Sequence, residues 1–396
     1  MPPPLPAGHD NNVQVVVTWK DLTIIWIRGS VLFGGKKQGV LYCHKDGKWI
    51  PKITFGDAPS YRYGAGAQVH NDIMYLMCGM SSSDDYSNDI HALDLNSWTW
   101  RKLNPQGSPP TQCAYLSTWL HKGNIYGFGG ETSEYPQDCS NQFFSYHVAR
   151  NCWEWPSVHG KIPTQRSFHT TFICGNTAIL FGGAQNTVAE VMNDLHTLNM
   201  VNLTWTQVHS SLAGEGLPEP RAGHSMTQVS SRAAVLFGGF YPPKPPSKDC
   251  WLLNITKVLE GDFDKPSSLW ERCQQHENEL PSRIASRMLH SAVIEPITKR
   301  LWVLGGLIQP IPSTTTKVLS LTFNSGTPLK FLAMERAARY FGPDHLKLKP
   351  TDLPRHLKIE LENHFQYNSF KCHIKGCHGC CAKTVCYGGD LCPGRN

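Results

Sequence analysis

Between Arg166 and His209 the apolar positions fall into short runs separated by polar turns. His169–Cys174, Ala178–Phe181 and Leu195–Met200 are rich in β-branched, aromatic and aliphatic residues, and a fourth run lies around Trp205–Val208. Such runs suit pleated strands. The second ends in Gly182-Gly183, and the third is introduced by Asn193-Asp194. A glycine pair lets the backbone leave a strand at positive φ or pass close beside another backbone. Four short strands closed by a tryptophan make one supersecondary unit. Alone it cannot bury both faces, so it is expected as one member of an array.

Glycine pairs follow apolar runs at VLFGG (Gly34-Gly35), YGFGG (Gly129-Gly130), ILFGG (Gly182-Gly183), VLFGG (Gly238-Gly239) and WVLGG (Gly305-Gly306), with a degenerate LMCGM at Gly79. Tryptophans recur downstream at Trp49, Trp98 and Trp100, Trp153 and Trp155, Trp205 and Trp270. The spacing is near the roughly 50 residues of kelch repeats and unlike the 3.6-residue periodicity of helical arrays. This combination over residues 13–325 resembles the kelch family of β-propellers. The resemblance implies an all-β chain with a six-bladed propeller.

Blade one is expected as Leu22–Arg28, Val31–Phe33, Val40–Cys43 and Lys48–Ile53. Blade two spans Tyr61–Leu103, blade three Thr111–Val158, blade four the template stretch, and blade five Arg221 to about Gln274. The sixth repeat supplies Met288–Ile294, Leu301–Leu304 and Val318–Phe323 but no tryptophan-bearing fourth strand. Because open sheet edges invite aggregation, the strand-like run at Val13–Val17 is assigned as the missing outer strand of blade six. The Pro-rich YPPKPPSK and the insertion VLEGDFDKPSS of blade five read as variable loops.

Composition changes this picture little. The 396 residues are 40% hydrophobic and 17% charged, with 34 glycines and 28 prolines, as suits a turn-rich β body. The net charge of +6 comes with no basic cluster in the repeats, so no nucleic-acid partner is expected. Residues 1–12 read as disordered and lack the pattern of a secretory leader, and Leu22–Ile27 is too short to span a bilayer. The eight cysteines of the repeats read as buried reduced thiols of a cytoplasmic or nuclear protein.

Four repeats open on arginine, at YRYGAG (Arg62), QRSFH (Arg166), PRAGH (Arg221) and SRMLH (Arg287), and three carry histidine three residues on, at His169, His224 and His290. Two roles fit the arginines. Converging on one mouth of the central channel, with Ser167 as a neutral donor, they would bind a carboxylate bidentately. Alternatively, each ties one blade to the next by hydrogen bonds to backbone, the role favoured for the histidines. Asp89, Asp194 and Asp249 recur at one repeat position and read as turn residues. No nucleophile triad, paired acid and base, or phosphate-cradling loop is legible. A non-catalytic protein needing no cofactor is therefore expected.

After Phe323 the pattern becomes helical. PLKFLAMERAARYF has good helix formers ending at Gly342-Pro343, and TDLPRHLKIELENHF has a capping Thr351 or Asp352 and a leucine stripe. PLKFLAMERA resembles the BC box of elongin-binding proteins, carried by Leu329, Ala333 and Ala337. DLPRHL resembles a cullin-2 box, carried by Leu353 and Pro354. Kelch propeller, BC box and cullin-2 box in this order resemble the kelch-domain-containing substrate receptors of cullin-2 RING ubiquitin ligases. The resemblance implies elongin B and elongin C, cullin-2 and, through the cullin, a RING subunit as partners, with a substrate degron in the propeller pocket. It places the two boxes in residues 326–366.

In the best-known members of that group the pocket binds the extreme C-terminus of the substrate. They carry arginines where this chain has Ala184 and Val191, and a serine and an aromatic where it has Ala222 and Gly223. A terminal-glycine specificity therefore does not carry over. Residues 367–396 hold six cysteines, of which Cys377 and Cys380 have the spacing of a zinc pair, yet the rest fits no standard zinc site, and the tail reads as disordered with no metal expected. The alternative function is a non-catalytic kelch scaffold for cytoskeletal or transcriptional partners, its C-terminal helices merely capping the fold.

Overall fold

Apolar runs become strands where both of their faces find another sheet. In the computed structural model, Ala233–Phe237 is such a strand. Ala234 and Leu236 point into the core shared with the preceding repeat, and Ala233, Val235 and Phe237 into the core shared with the following one. Side chains alternate across a strand, so burial on both faces demands a continuous apolar run. The structure describes residues 4–5 and 15–321, less the segments 34–35, 82–84, 134–138, 186–189, 210–215, 262, 264, 274–285, 298–299, 309–312 and 315–317.

The chain folds as a six-bladed β-propeller. Blade one is Val15–Trp19, Leu22–Phe33, Lys36–Lys45 and Lys48–Lys52. Blade two is Gly66–His70, Ile73–Met77, Ile90–Asp94 and Thr99–Lys102, and blade three is Ser117–His121, Asn124–Phe128, Phe143–His147 and Cys152–Glu154. Blade four is Thr170–Cys174, Thr177–Gln185, Glu190–Asn199 and Thr204–His209, and blade five is Ser225–Ser230, Ala233–Phe237, Cys250–Asn254 and Trp270–Arg272. Blade six has Ser291–Ile294, Leu301–Leu304 and Leu319–Leu321 among the described residues. All of these strands pair antiparallel, and the first strand of each blade packs against the first strands of its two neighbours, closing a ring around a central channel.

Six apolar cores fill the six boundaries between blades. The recurring tryptophans explain themselves here. Trp49, Trp100, Trp153, Trp205 and Trp270 each seal the boundary with the preceding blade. Trp205 and Trp270 lie 5.2 and 5.0 Å from Phe128 and Phe181, the phenylalanines that precede the glycine pairs of blades three and four. Burying a large apolar side chain contributes about 1.5–3 kcal/mol, so in blades one to five the tryptophan is a large single contribution to the seal with the preceding blade.

The N-terminal strand corrects the sequence expectation. Val15–Trp19 is the inner strand of blade one, paired from Val15 opposite Trp26 to Trp19 opposite Leu22, and not the outer strand of blade six. The hairpin turns at Lys20, whose φ is 53°, so the strand finds a partner two residues away. A loop that short closes at far less entropic cost than one spanning the molecule. Gly29-Ser30 does not split the next strand either. Leu22–Phe33 runs through with a register irregularity between Arg28 and Leu32. Blades six and one meet in an apolar cluster of Leu5, Ile25, Trp302, Leu304 and Val318.

The insertion of blade five is partly helical. Ile255–Glu260 starts where Asn254 Oδ1 accepts the Lys257 N–H and stops at Gly261, φ 78°, with Ile255 and Val258 anchored in the core between blades four and five. Among the described residues no helix is long and apolar enough to cross a membrane. All eight described cysteines are free thiols, five of them buried. The two expected C-terminal helices, with Leu329, Ala333, Ala337, Leu353 and Pro354, and the cysteine-rich tail lie outside the described residues.

Candidate functional site

The arginines that open the repeats turn into the blades, not toward the channel. Arg166 is fully buried. Its Nη1 and Nη2 donate to Asp194 Oδ1 and Oδ2 at 2.7 and 2.9 Å, Nη1 also to the Gly182 carbonyl at 3.0 Å, and Nε to the Thr164 carbonyl at 3.0 Å. Arg221 repeats the arrangement on Asp249, at 2.6 and 2.9 Å, and on the Gly238 carbonyl at 2.9 Å. Arg62 pairs with Asp89 and donates to the Cys78 carbonyl at 3.2 Å, and Arg287 donates to the Gly305 carbonyl at 3.0 Å. Burial raises and ion pairing lowers the carboxyls of Asp194 and Asp249, and the pairing wins. Both end below the usual carboxylate range, Asp249 at about 2. Asp89, Asp194 and Asp249 are thus ion-pair partners of their own blades' arginines, which the turn reading missed.

These contacts explain the glycine pairs. The carbonyl of the first glycine accepts the arginine of its own blade. The N–H of the second donates to the backbone carbonyl of the next blade's arginine: Gly130 to Arg166 at 2.9 Å, Gly183 to Arg221 at 3.0 Å and Gly239 to Arg287 at 3.0 Å. At Gly183, φ is 100° and an added Cβ would stand 2.7 Å from the Ser167 carbonyl oxygen, so no side chain fits. Ser167 is buried too, its backbone paired with Ala184 and its Oγ 3.3 Å from Cys139 Sγ. The expected set Arg62, Arg166, Ser167, Arg221 and Arg287 does not come together around one cavity.

The histidines link blades, as expected. His169 Nε2 lies 2.8 Å from Ser117 Oγ, His224 Nε2 3.0 Å from Thr170 Oγ1 and His290 Nε2 2.8 Å from Ser225 Oγ, each partner belonging to the preceding blade. Burial, reinforced by the neighbouring arginine, pushes all three well below the ordinary histidine range, His224 to about 3. They are neutral at physiological pH.

What does face the channel is the residue two positions after the arginine or, in blade three, after Cys113. Gly64, Tyr115, Phe168, Gly223 and Leu289 occupy this position in blades two to six, and all five are left-handed, with φ between 53° and 62°. They form a belt of backbone hydrogen bonds. Leu289 N–H donates to the Gly223 carbonyl at 2.7 Å, Gly223 to Phe168 at 3.0 Å, Phe168 to Tyr115 at 3.0 Å, and Tyr115 to Gly64 at 2.8 Å. Left-handed backbone is costly for bulky residues and is held here by the belt itself. The Tyr115 and Phe168 rings lie 4.2 Å apart at 33°. These five residues, with their neighbours in the inner strands, line a cavity of about 240 Å³ on the propeller axis. Sequence reasoning missed this belt, although Gly64 and Gly223 at the same offset from Arg62 and Arg221 were the visible signal.

A larger recess of about 410 Å³ lies off the axis on blade five, between Pro220, Phe240, Tyr241 and Lys244–Lys248. Its Lys244 is already bonded to Glu219 Oε1 at 2.8 Å. The axial cavity, which gathers residues from five blades, is the better candidate for a binding site.

A model of the KLHDC2/KLHL20/DRC7 Kelch-repeats domain matches residues 23–239. The chain belongs to the kelch-repeat family. It is 30% identical over 311 residues to Kelch domain-containing protein 2 of Bos taurus, covering 69% of this chain and 75% of that protein. It is also 30% identical over 202 residues to Acyl-CoA-binding domain-containing protein 4 of Arabidopsis thaliana, covering 48% of this kelch chain but only 29% of that protein. A solved structure described as that of YjhT superposes with a TM-score of 0.61 over 82% of this chain and 97% of its own, at 15% identity, a likeness of fold. In kelch terms, the departures at Ala184 and Val191 face each other across the Thr177–Gln185 and Glu190–Asn199 pair, and Ala184 is fully buried.

Proposed function

We propose that this chain is the non-catalytic substrate-recognition subunit of a ubiquitin ligase built on cullin-2 and elongins B and C, holding a polypeptide of its substrate at the axial cavity. The observation that carries the reading is a closed kelch ring whose axial cavity draws side chains from five blades, in a chain that continues into Leu329, Ala333 and Ala337 and then Leu353-Pro354. A propeller of this kind is a protein-interaction module, and the two short motifs supply the attachment to the ligase. Kelch domain-containing protein 2, similar along most of its length, supports the propeller part of the reading.

The test uses the full chain expressed in cells. Elongins B and C should co-purify with it. Leu329→Asp should abolish elongin capture while leaving the thermal midpoint of the propeller unchanged. Leu353→Ala combined with Pro354→Ala should keep elongin and lose cullin-2. If the Leu329→Asp protein still captures elongin, the BC-box assignment falls. A wild-type chain that captures neither elongin nor cullin-2 leaves a kelch scaffold as the function.

A further inference from the structure

The belt around the channel contains three large apolar side chains, Tyr115, Phe168 and Leu289, and two glycines, Gly64 and Gly223. Tyr115 packs over Gly64 and Leu289 over Gly223, where an added Cβ would stand 2.7 and 2.9 Å from their side chains, and the belt walls a cavity of about 240 Å³. None of the described residues that line it is Lys, Arg, Asp or Glu. The histidines in its wall, His169, His224 and His290, are bonded to neighbouring blades. The guanidinium groups of Arg62, Arg166 and Arg221 are committed to Asp89, Asp194 and Asp249 inside the blades, and that of Arg287 donates to the Gly305 carbonyl.

Two physical limits then decide what fits. An ionised carboxylate loses its hydration on entering such a site and needs a cation or several donors in return. Among the described residues the lining offers no cation, and the belt's own N–H groups at Tyr115, Phe168, Gly223 and Leu289 are used within the belt. Size gives the second limit. An apolar cavity of roughly 150 Å³ holds a benzene ring, whereas small-molecule sites usually start near 300 Å³. A volume of about 240 Å³ therefore suits one large side chain and is small for a cofactor.

We propose that the axial cavity accepts a single large apolar side chain, leucine, methionine or phenylalanine, presented by a partner polypeptide, and that it does not read a terminal carboxylate. Tyr115 and Phe168 supply one wall and Leu289 another. This rests on the reading above that the propeller binds a polypeptide. It is independent of which assembly the chain joins.

The experiment screens the purified full chain against a library of random twelve-residue peptides, each made with a free and with an amidated C-terminus. Retained peptides should share one large apolar residue. Replacing that residue by alanine should weaken binding at least tenfold, and amidation should change it less than twofold. Phe168→Gly and Leu289→Gly remove side chains at positions whose backbone already suits glycine, so both should keep the wild-type thermal midpoint and lose at least tenfold in binding. Should either unfold, Tyr115→Gly carries the same comparison. Retained peptides that need a free C-terminus or an acidic residue overturn the proposal. So do glycine variants that bind as wild type, and so does a folded wild type that retains no peptide. Elongin capture by the same preparation reads the assembly separately, so either conclusion can fail alone.

Discussion

Arg166 and Asp194 meet through two parallel hydrogen bonds, Nη1 to Oδ1 at 2.7 Å and Nη2 to Oδ2 at 2.9 Å, in the interior of blade four. Removing one member of such a buried pair leaves the other charge uncompensated, at a cost of about 3–5 kcal/mol. Arg166→Ala should therefore lower the denaturant midpoint substantially, and any loss of binding would follow from loss of fold. The double variant Arg166→Met, Asp194→Leu should recover much of that loss, because it removes both charges and fills the space. A single variant as stable as wild type would show that the pair is not what locks the blade.

Gly175 and Gly183 separate two reasons for glycine. Both have positive φ, 59° and 100°, but an added Cβ meets nothing within 4 Å at Gly175 and the Ser167 carbonyl oxygen at 2.7 Å at Gly183. Gly175→Ala should cost about 1–2 kcal/mol, the price of left-handed backbone alone. Gly183→Ala should cost clearly more, since it also drives apart the pairing of Ser167 with Ala184. Equal losses in urea denaturation would put the whole effect in backbone conformation.

Acid should weaken the propeller well before its carboxylates titrate. His224 titrates at about 3 when folded against an ordinary 6.5, and His169 and His290 shift in the same direction. Below pH 6.5 the unfolded chain takes up protons that the folded chain refuses, so stability falls as pH drops, by about 1.4 kcal/mol per pH unit for each histidine. Asp249, at about 2 folded against 3.8, adds a loss in the same sense as pH falls below 3.8, joined by Asp89 and Asp194. Denaturant midpoints should be flat from pH 7 to 8 and decline from about pH 6.5. His91, lowered to about 4, and His44 and His121 titrate in the same sense, so His224→Gln should reduce the initial slope by clearly less than a third.

The repeat architecture was legible because its devices are local. A glycine pair marks where a blade takes the next blade's backbone, and a tryptophan marks where it seals against the last, whatever the rest of the strand contains. The position of Val15–Trp19 was not legible, since one apolar strand pairs equally well with either of two edges and only the turn at Lys20 decides between them. Nor was the fate of the arginines. Arg166 and Asp194 stand 28 residues apart, and their pairing depends on how a blade folds back on itself. The belt escaped notice because Gly64, Tyr115, Phe168, Gly223 and Leu289 share a backbone conformation but no common side chain.

The order of the inner strands has a consequence for biosynthesis. They begin at Val15, Gly66, Ser117, Thr170, Ser225 and Ser291, so successive ones start 51 to 66 residues apart. A chain leaving the ribosome N-terminus first can dock each blade on its predecessor as soon as it is complete. The contact between Ser291–Ile294 and Val15–Trp19 has to wait for the last blade. Until then Val16, Ile25, Tyr42 and Trp49, which later pack on blade six, have no cover. At translation speeds of about 5–20 residues per second that wait lasts tens of seconds, and this face of blade one is the surface that a chaperone on the nascent chain would meet.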